Sequence, residues 1–277
     1  MNSCYSFKEH LFNKPIFNNI DATYIIHLEN NGRLSSIEEQ LSCFHPTNKV
    51  YILFNKGYKN CKKKDYIDSP TKDLIDAFYT IFKDAREKGF NHILILEDDF
   101  QFNNKINEDI KHSSEVDYFL SNNKDDPFVY YLGVLTCLQS CFFETNPRVN
   151  LSTGTHACIY SKKCIDYFLD KVDQKDITDW DLFLNFGMIP RYKYYMPLCY
   201  QTFPDTENSN FWHQGSTILL FLVFIQRSIM KLLGLDVNPE PGYTIMEYVS
   251  RILFWLLLGL LLFIIYKVYS KYIKNIK

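Results

Sequence analysis

The alternation of hydrophobic and polar segments along the first hundred residues predicts strands separated by helices. Short apolar runs at 21–28, 50–54 and 92–97 are typical of buried strands. Before the third run, Ser69-Pro70 has the pattern of a capped helix start, and Gly89 stands where a helix C-terminal cap belongs. Because strands and helices alternate in this way, we expect a largely parallel sheet with right-handed crossovers.

Three carboxylates follow the third of these strands without interruption. Ile93 to Leu96 are large apolar residues, and Glu97, Asp98 and Asp99 come next. Ligands in open α/β sheets bind outside the carboxyl ends of the strands, which is where these acids fall. Adjacent carboxylates repel one another unless a cation or hydrogen-bond donors compensate them, and oxygen ligands of this kind suit Mg²⁺ or Mn²⁺. The stretch therefore predicts a metal-and-phosphate site; the alternative is a solvated acidic turn at the end of a core strand.

The second half of the domain continues the alternation less regularly. We expect, in order, a short helix near 116–120, a strand at 128–132, a glycine-entered strand at 154–161, a helix with its apolar face at 165–172, a short helix opening at Thr178, and aromatic-rich strand residues at 192–200. Asp179 and Asp181 lie at the start of the short helix, where the helix dipole favours negative charge.

The C-terminal region predicts contact with a membrane. Residues 252–266 contain no charged side chain and are flanked by Arg251 and Lys267, whose long side chains can reach the membrane interface. We interpret this run as a single C-terminal transmembrane anchor; a buried core helix is the alternative. The preceding segment, 217–235, is apolar but carries two cations on one helical face, Arg227 and Lys231, which is typical of a helix lying in the membrane interface.

Composition narrows the class of partner. The 277 residues carry a formal net charge of −2 without a basic stripe, so nucleic acid is not an expected partner. The eight cysteines include no Cys-x-x-Cys pair, so zinc-ligand spacing is absent. In a chain of this length we expect free thiols packed in apolar segments and no disulfide framework.

Four short segments, taken in order, carry a family resemblance. They are Tyr24-Ile-Ile-His-Leu28, Ile93-Leu-Ile-Leu-Glu-Asp-Asp99, Gly154-Thr-His-Ala-x-Ile-Tyr-Ser161 and Asp179-x-x-Leu182. They resemble the opening strand, the LVLEDD signature, the Gly-Thr-x-Ala-Tyr-x-x-Ser segment and the D-x-x-L element of glycosyltransferase family 25, the lipopolysaccharide-biosynthesis and procollagen galactosyltransferase family. The resemblance covers about residues 20–210. The chain departs from the family where its Asp-Arg pairs are reduced to Glu29 and Arg33, and where Ser69-Pro-Thr-Lys-Asp73 replaces its Cys-x-x-Ser-His helix entry.

The resemblance implies a fold and a reaction. The fold is α/β, a GT-A-like mixed, mainly parallel sheet flanked by helices, here with C-terminal membrane-associated helices. It divides the chain into an N-terminal extension (1–19), a GT-A-like domain (20–213), an interfacial helix and linker (214–247) and a transmembrane anchor with a basic tail (248–277). The implied reaction uses a nucleotide-sugar donor, with a UDP-sugar preferred, and a divalent metal, Mn²⁺ or Mg²⁺, and it inverts stereochemistry. The anchored tail and the asparagine- and lysine-rich composition resemble versions of the family in large DNA viruses.

The same resemblance assigns roles to individual residues. Glu97 and Asp99 are expected to hold the metal, with His213 as a further ligand. Asp179 is the expected base that takes the proton of the acceptor hydroxyl; Asp181, on nearly the opposite side of the helix, is the alternative. The candidates for donor binding are Tyr24, His27, Asp98, Thr155 and His156. For His156 the alternative role is that of a hydrogen-bonded core histidine.

Three classes of function are compatible with these residues. The first is a membrane-anchored glycosyltransferase whose acceptor hydroxyl belongs to a glycan, a protein or a lipid. The second is another divalent-metal phosphoryl or nucleotidyl enzyme, since paired carboxylates at strand ends also serve such reactions. The third is an inactive, membrane-bound glycosyltransferase-like binding protein.

The orientation expected in the membrane follows from the two ends of the chain. The lysine-rich tail favours a cytosolic C-terminus, and no signal precedes the large N-terminal domain. We therefore expect a tail-anchored protein with its catalytic domain in the cytosol. A glycan on Asn150, in the sequon Asn150-Leu-Ser152, would reverse that orientation.

Overall fold

The computed structural model describes residues 4–139, 144–201, 228–235 and 238–276. Its strands are β1 (Tyr5–Leu11), β2 (Ala22–Leu28), β3 (Lys49–Asn55), β4 (His92–Glu97), β5 (Phe100–Phe102), β6 (Val129–Gln139), β7 (Val149–Ser161), β8 (Arg191–Lys193) and β9 (Cys199–Gln201). Its helices are α1 (Leu34–Cys43), α2 (Pro70–Glu87), α3 (Lys105–Glu108), α4 (Ile110–Asn122), α5 (Lys162–Lys171), α6 (Trp180–Phe186) and α7 (Gly242–Ile276). The protein is therefore a mixed α/β protein with one long C-terminal apolar helix.

One seven-stranded sheet, in the order β1-β3-β2-β4-β7-β6-β8, organises the domain, and β5 and β9 form a separate pair. Three pairings are parallel (β2 with β3, β2 with β4, β6 with β8), and the other three are antiparallel (β1 with β3, β4 with β7, β6 with β7). Parallel strands thus form the middle of a mixed sheet. Strand β1 comes from the segment expected to be an N-terminal extension, yet it pairs with β3 along its whole length.

The register of the central strands determines what lies at the end of β4. Ile26 of β2 pairs with Glu97, and Ala157 of β7 pairs with Leu96. The carboxyl end of β4 is therefore enclosed by β2 on one side and by β7 on the other. Because β7 runs antiparallel, the residues that precede Ala157, including Thr155, lie beside the acids that follow Leu96.

Helices cover both faces of this sheet with apolar side chains. On one face α2 packs with α5 and α6, and the ring of Phe78 stacks on that of Trp180 at 5.0 Å between centroids. Helix α2 starts as the sequence predicts, since the Ser69 side chain accepts a hydrogen bond from the first turn of the helix. Gly89, at φ +72°, follows the end of α2. The opposite face is covered by α1 and α4 through residues such as Ile37.

A disulfide joins Cys4 to Cys61, which corrects the expectation that the cysteines are free. The two residues are 57 positions apart, and the pairing of β1 with β3 brings them together, so their spacing in the sequence gives no indication of the bond. The bond fastens the edge strand to the loop that precedes α2. Disulfides persist in oxidising compartments and are rare in the cytosol, so this pair counts against the cytosolic placement expected for the domain.

Removing this disulfide is expected to destabilise the domain. For a loop of this length the chain-entropy model gives a loss of about 4 kcal/mol in the free energy of unfolding, and native disulfides typically contribute about 2–5 kcal/mol. Denaturant unfolding of the Cys4→Ser, Cys61→Ser double variant against the wild type, without reductant, measures the loss. Cys43→Ser, which changes an exposed free thiol, is the matched control. Equal stability of the double variant and the wild type would show that the pair contributes nothing.

The terminal helix has the properties of a membrane anchor in length and composition. Residues 242–270 of α7 include an 18-residue stretch with a mean hydropathy of 2.3, and the helix is long enough to cross a bilayer. Most of its large apolar side chains from Ile252 to Tyr269 are exposed, so they do not belong to the core of the domain. The buried core helix considered from the sequence is thus not what the structure describes.

Only part of the predicted interfacial helix, residues 228–235, lies within the described residues, and Arg227 lies outside them. Residues 228–232 are helical. Met230 and Leu235 are buried in a cluster with Tyr200 and Tyr243. In this portion, the two apolar side chains pack against the domain, whereas Leu232 is exposed.

Candidate active site

Asp98 is surrounded by hydrogen-bond donors at the end of β4. Its carboxylate accepts from the Leu28 backbone N–H at 3.2 Å, from the Asn31 side-chain amide at 2.5 Å and from the Arg33 guanidinium at 2.6 Å. His27 Nδ1 lies 3.4 Å from the same carboxylate. Burial acts to raise the pKa of Asp98, but His27, the Arg33 charge and Asn31 outweigh it, so the pKa lies below its ordinary value. Asp98 therefore stays ionised and holds the loop between β2 and α1.

Asp99 is buried and less well compensated. Gln201 Nε2 donates to its Oδ2 at 3.1 Å, and the Arg33 guanidinium lies 3.9 Å from that oxygen. Burial raises the pKa of Asp99 to about 7, and the charge of Asp98 adds to the rise. Because the guanidinium is closer to Asp98, it offsets only part of the charge on Asp99.

Glu97 and Asp181 each accept a hydrogen bond from a neighbouring residue of β7. The Thr155 hydroxyl donates to Glu97 Oε1 at 3.0 Å, and the Gly154 backbone N–H donates to Asp181 Oδ2 at 2.8 Å. Burial, followed by the charges of Asp99 and Asp181, raises the pKa of Glu97 well above its ordinary value. Burial and the charge of Asp179 raise the pKa of Asp181 to about 6. We call Glu97, Asp99 and Asp181 the acid cluster.

Asp179 has a different place from Asp181. It is the N-cap of α6, and its Oδ1 accepts from the Leu182 backbone N–H at 2.8 Å. The two acids point in different directions, as residues two apart at a helix start do. The structure thus brings Asp181 to the residues of β7 and keeps Asp179 at the helix end.

Tyr24, a candidate for donor binding, has no contact with the acids of this site in the structure. Tyr24 is fully buried, stacks on Tyr51 at 5.1 Å and donates its hydroxyl proton to Asp84 of α2. Tyr24 lies in the middle of β2 and pairs with Ile95 of β4. Ile95 precedes Glu97, the last residue of β4, by two positions. These contacts are packing contacts within the core. His27 and Thr155 do contact the acids.

His156 lies in the core beside the site. It is fully buried, its Nε2 lies 3.3 Å from the Cys199 carbonyl oxygen, and its ring meets that of Tyr243 edge-on at 6.3 Å. Burial lowers its pKa to about 4, so the ring is neutral near pH 7. These contacts correspond to the core role considered as the alternative. His213 lies outside the described residues.

The acid cluster has the chemistry of a hard-cation site. Its donors are carboxylate oxygens. The charges of Asp99 and Asp181 raise the pKa of Glu97, and a divalent ion would relieve that repulsion. Among the described residues, no three His, Cys, Asp or Glu side chains are gathered as a complete ligand set. A Mg²⁺ or Mn²⁺ ion would therefore take Asp99 and Glu97 as ligands and fill its other positions with water and substrate oxygens, which is how such ions usually bind.

Three further residues at the site are not among the sequence-based candidates. Arg33 stands out in the sequence only as the remainder of a family Asp-Arg pair. Gln201 ends β9 and contacts Asp99 across 102 positions of sequence. Tyr243 lies in the predicted linker, and its hydroxyl accepts a hydrogen bond from the Gln201 backbone N–H at 3.0 Å. The pattern of neighbouring residues in the sequence does not indicate these contacts, because each contact joins segments that are far apart in the chain.

Comparison with known proteins gives likenesses of fold alone. No family model matches the chain, and no curated protein matches it in sequence. The solved structure of A197 from STIV is similar over 68% of this chain and 87% of its own, with 11% identity and a TM-score of 0.40. A glycosyltransferase involved in the glycosylation of the major capsid of virus PBCV-1 is similar over 68% of this chain and 95% of its own, with 11% identity and a TM-score of 0.38. Likenesses of this size carry no argument about activity.

Proposed function

We propose that the chain is a membrane-anchored glycosyltransferase, similar to family 25, that transfers a sugar from a nucleotide-sugar donor to an acceptor hydroxyl with inversion. A GT-A-like fold, a UDP-sugar donor and Mn²⁺ or Mg²⁺ are parts of this proposal. The acceptor hydroxyl belongs to a glycan, a protein or a lipid. The ordered family motifs of the sequence and the chemistry of the acid cluster support it together.

The acid cluster is the observation that carries the proposal. Burial disfavours ionised carboxylates, yet Asp99 is buried, and its charge and that of the partly buried Asp181 act on the partly buried Glu97 and raise its pKa further. A solvated acidic turn would avoid this cost by leaving its carboxylates in water. A site that binds a divalent ion and a diphosphate gains from the same arrangement, because the ion supplies the missing positive charge.

The proposed roles follow from the position of each group. Asp181 accepts the proton of the acceptor hydroxyl while that oxygen bonds to the anomeric carbon and the bond from this carbon to the diphosphate breaks. A base with a pKa of about 6 is ionised near neutral pH and can assist this transfer. Arg33, held in place by Asp98, adds positive charge beside the donor phosphates. A bound divalent ion would neutralise charge on the leaving nucleoside diphosphate.

Cleavage of nucleotide sugars tests the proposal. The purified full-length chain, in detergent micelles, is incubated with a panel of nucleotide sugars and Mn²⁺, and released nucleoside diphosphate is measured. We expect one donor to be cleaved slowly, with water in place of the acceptor. EDTA should stop the release, and excess Mn²⁺ should restore it. The full chain is used because α7 contacts the site through Tyr243.

Other products would identify the other two classes. Release of phosphate or pyrophosphate from nucleoside triphosphates, with every nucleotide sugar left intact, would identify a phosphoryl or nucleotidyl enzyme. Cleavage of neither kind of substrate, with Mn²⁺-dependent binding of a nucleotide sugar, would identify a binding protein that has kept the site. Either result would contradict the proposed transferase.

A further inference from the structure

The first turns of α7 are attached to the domain by a buried group of charged side chains. Glu247 is 8% exposed and pairs with Lys193 of β8 and with Arg251, which lies one helical turn further on. Gln139, at the end of β6, donates to the Glu247 carboxylate at 3.0 Å, and Arg251 donates to the Tyr195 carbonyl oxygen at 2.9 Å. Loss of Glu247 would leave the buried Lys193 without its counter-ion, so this group favours one position of the helix.

This attachment places Tyr243 between the helix and the candidate site. Tyr243 is 3% exposed, and its ring meets that of Tyr200 at 5.1 Å and that of His156 at 6.3 Å. Its hydroxyl accepts from the Gln201 backbone N–H at 3.0 Å, and the Gln201 side chain donates to Asp99 at 3.1 Å. Two successive hydrogen bonds therefore connect the first turn of the terminal helix to the acid cluster.

We propose that Tyr243 is a positioning residue: the first turn of α7 holds Gln201 so that its side-chain amide stays on Asp99. The terminal helix is then part of the site as well as an anchor, and its release from the domain loosens Asp99. The expected effect on metal binding rests on the proposed function, whereas the link from Tyr243 to Gln201 does not. Partners that orient a metal ligand typically change metal affinity by about 10–100-fold when they are lost.

Amide hydrogen exchange tests the link without any assumption about activity. Tyr243→Phe keeps the ring packing and removes the hydroxyl that accepts from Gln201. In the full-length protein in detergent, we expect the backbone amide of Gln201 to exchange about tenfold faster in the variant than in the wild type. A factor of about ten corresponds to the usual net free energy of one such hydrogen bond. Tyr248→Phe, which changes a tyrosine of the same helix that is 60% exposed, is the matched control. Unchanged exchange of the Gln201 amide in Tyr243→Phe would overturn the proposal.

The metal requirement of donor cleavage tests the positioning role. Tyr243→Phe and, as a second variant, Gln201→Ala should each raise the Mn²⁺ concentration for half-maximal cleavage about tenfold or more. Saturating Mn²⁺ should return the rate to near that of the wild type. Damage to the fold alone would lower the rate at every Mn²⁺ concentration. Tyr248→Phe should keep the wild-type requirement.

The two measurements separate failure of this inference from failure of the proposed function. If the wild type cleaves no nucleotide sugar, the proposed function fails, and amide exchange alone decides whether α7 holds Gln201. If the wild type cleaves a donor and Tyr243→Phe keeps its Mn²⁺ requirement, the positioning role is overturned even where exchange is faster. Faster exchange together with a raised requirement supports both parts.

Discussion

Asp99→Asn is expected to lower donor cleavage strongly and to make the metal-free protein more stable at pH 8. Asparagine keeps the shape of the side chain and can still accept from Gln201, but it brings no charge to a divalent ion. Loss of an outer partner of a metal ligand costs about 10–100-fold, so loss of the ligand charge itself should lower turnover by about 10²-fold or more. Turnover is measured as Mn²⁺-dependent release of nucleoside diphosphate.

The gain in stability follows from the raised pKa of Asp99. The folded protein holds the Asp99 proton more tightly than the unfolded chain, because burial raises its pKa to about 7. The stability contributed by this group is complete below about pH 4 and is lost as pH rises through about 7. Asparagine does not ionise, so the variant should exceed the wild type by on the order of 2–4 kcal/mol at pH 8, and the difference should shrink toward pH 4.

Urea unfolding in EDTA at several pH values measures this difference. Asp170→Asn is the matched control, since its carboxylate lies in a solvent-exposed pair with Arg86 and should change stability little at any pH. Saturating Mn²⁺ should stabilise the wild type and leave Asp99→Asn nearly unchanged. Full cleavage by Asp99→Asn in the presence of EDTA would mean that these acids form only an acidic turn.

Asp181→Asn is expected to lower turnover by roughly 10²-fold or more, whereas Asp179→Asn should leave it within about twofold. Asp181 belongs to the acid cluster and has a pKa of about 6, which suits a general base. Asp179 is occupied as the N-cap of α6, and asparagine caps a helix as well as aspartate does. Both variants should retain folding, which circular dichroism and urea unfolding check.

The comparison of the two variants assigns the base from kinetics alone. Loss of turnover in Asp179→Asn with near-normal turnover in Asp181→Asn would move the base to Asp179, the residue that the family motif favours. Retained turnover in both variants would leave α6 without a catalytic role. Metal affinity should be measured in parallel, because a change in Mn²⁺ requirement would place Asp181 among the ligands.

Elements with local determinants could be predicted from the sequence. The helix α2 has its capping serine, its first-turn proline and the glycine that follows it within one segment, and it forms where these residues indicate. Strand β4 is a short apolar run that ends at Glu97, as expected. Strands β6 and β7 extend well beyond their predicted apolar parts, because pairing with each other continues through polar residues.

The sequence also predicts where a site would lie, because ligands of open α/β sheets bind beyond the carboxyl ends of the strands. The sequence does not predict the role of each acid. Asp98 is compensated by Arg33, 65 positions away, and Asp99 by Gln201, 102 positions away. The sequence alone does not distinguish the three adjacent carboxylates. Their pKa values differ because their partners, which lie far away in the chain, differ.

The sequence by itself determined the periodic strands and helices, the acidic end of β4 and the apolar C-terminal helix, since each depends on residues close together in the chain. Tertiary structure alone decided that Cys4 pairs with Cys61, that Tyr24 packs into the core and that Tyr243 reaches Gln201. Burial and long-range contacts determine the environment of each acid, and this environment determines its pKa and therefore its charge. Those contacts exist only once the sheet has formed and α7 lies against it.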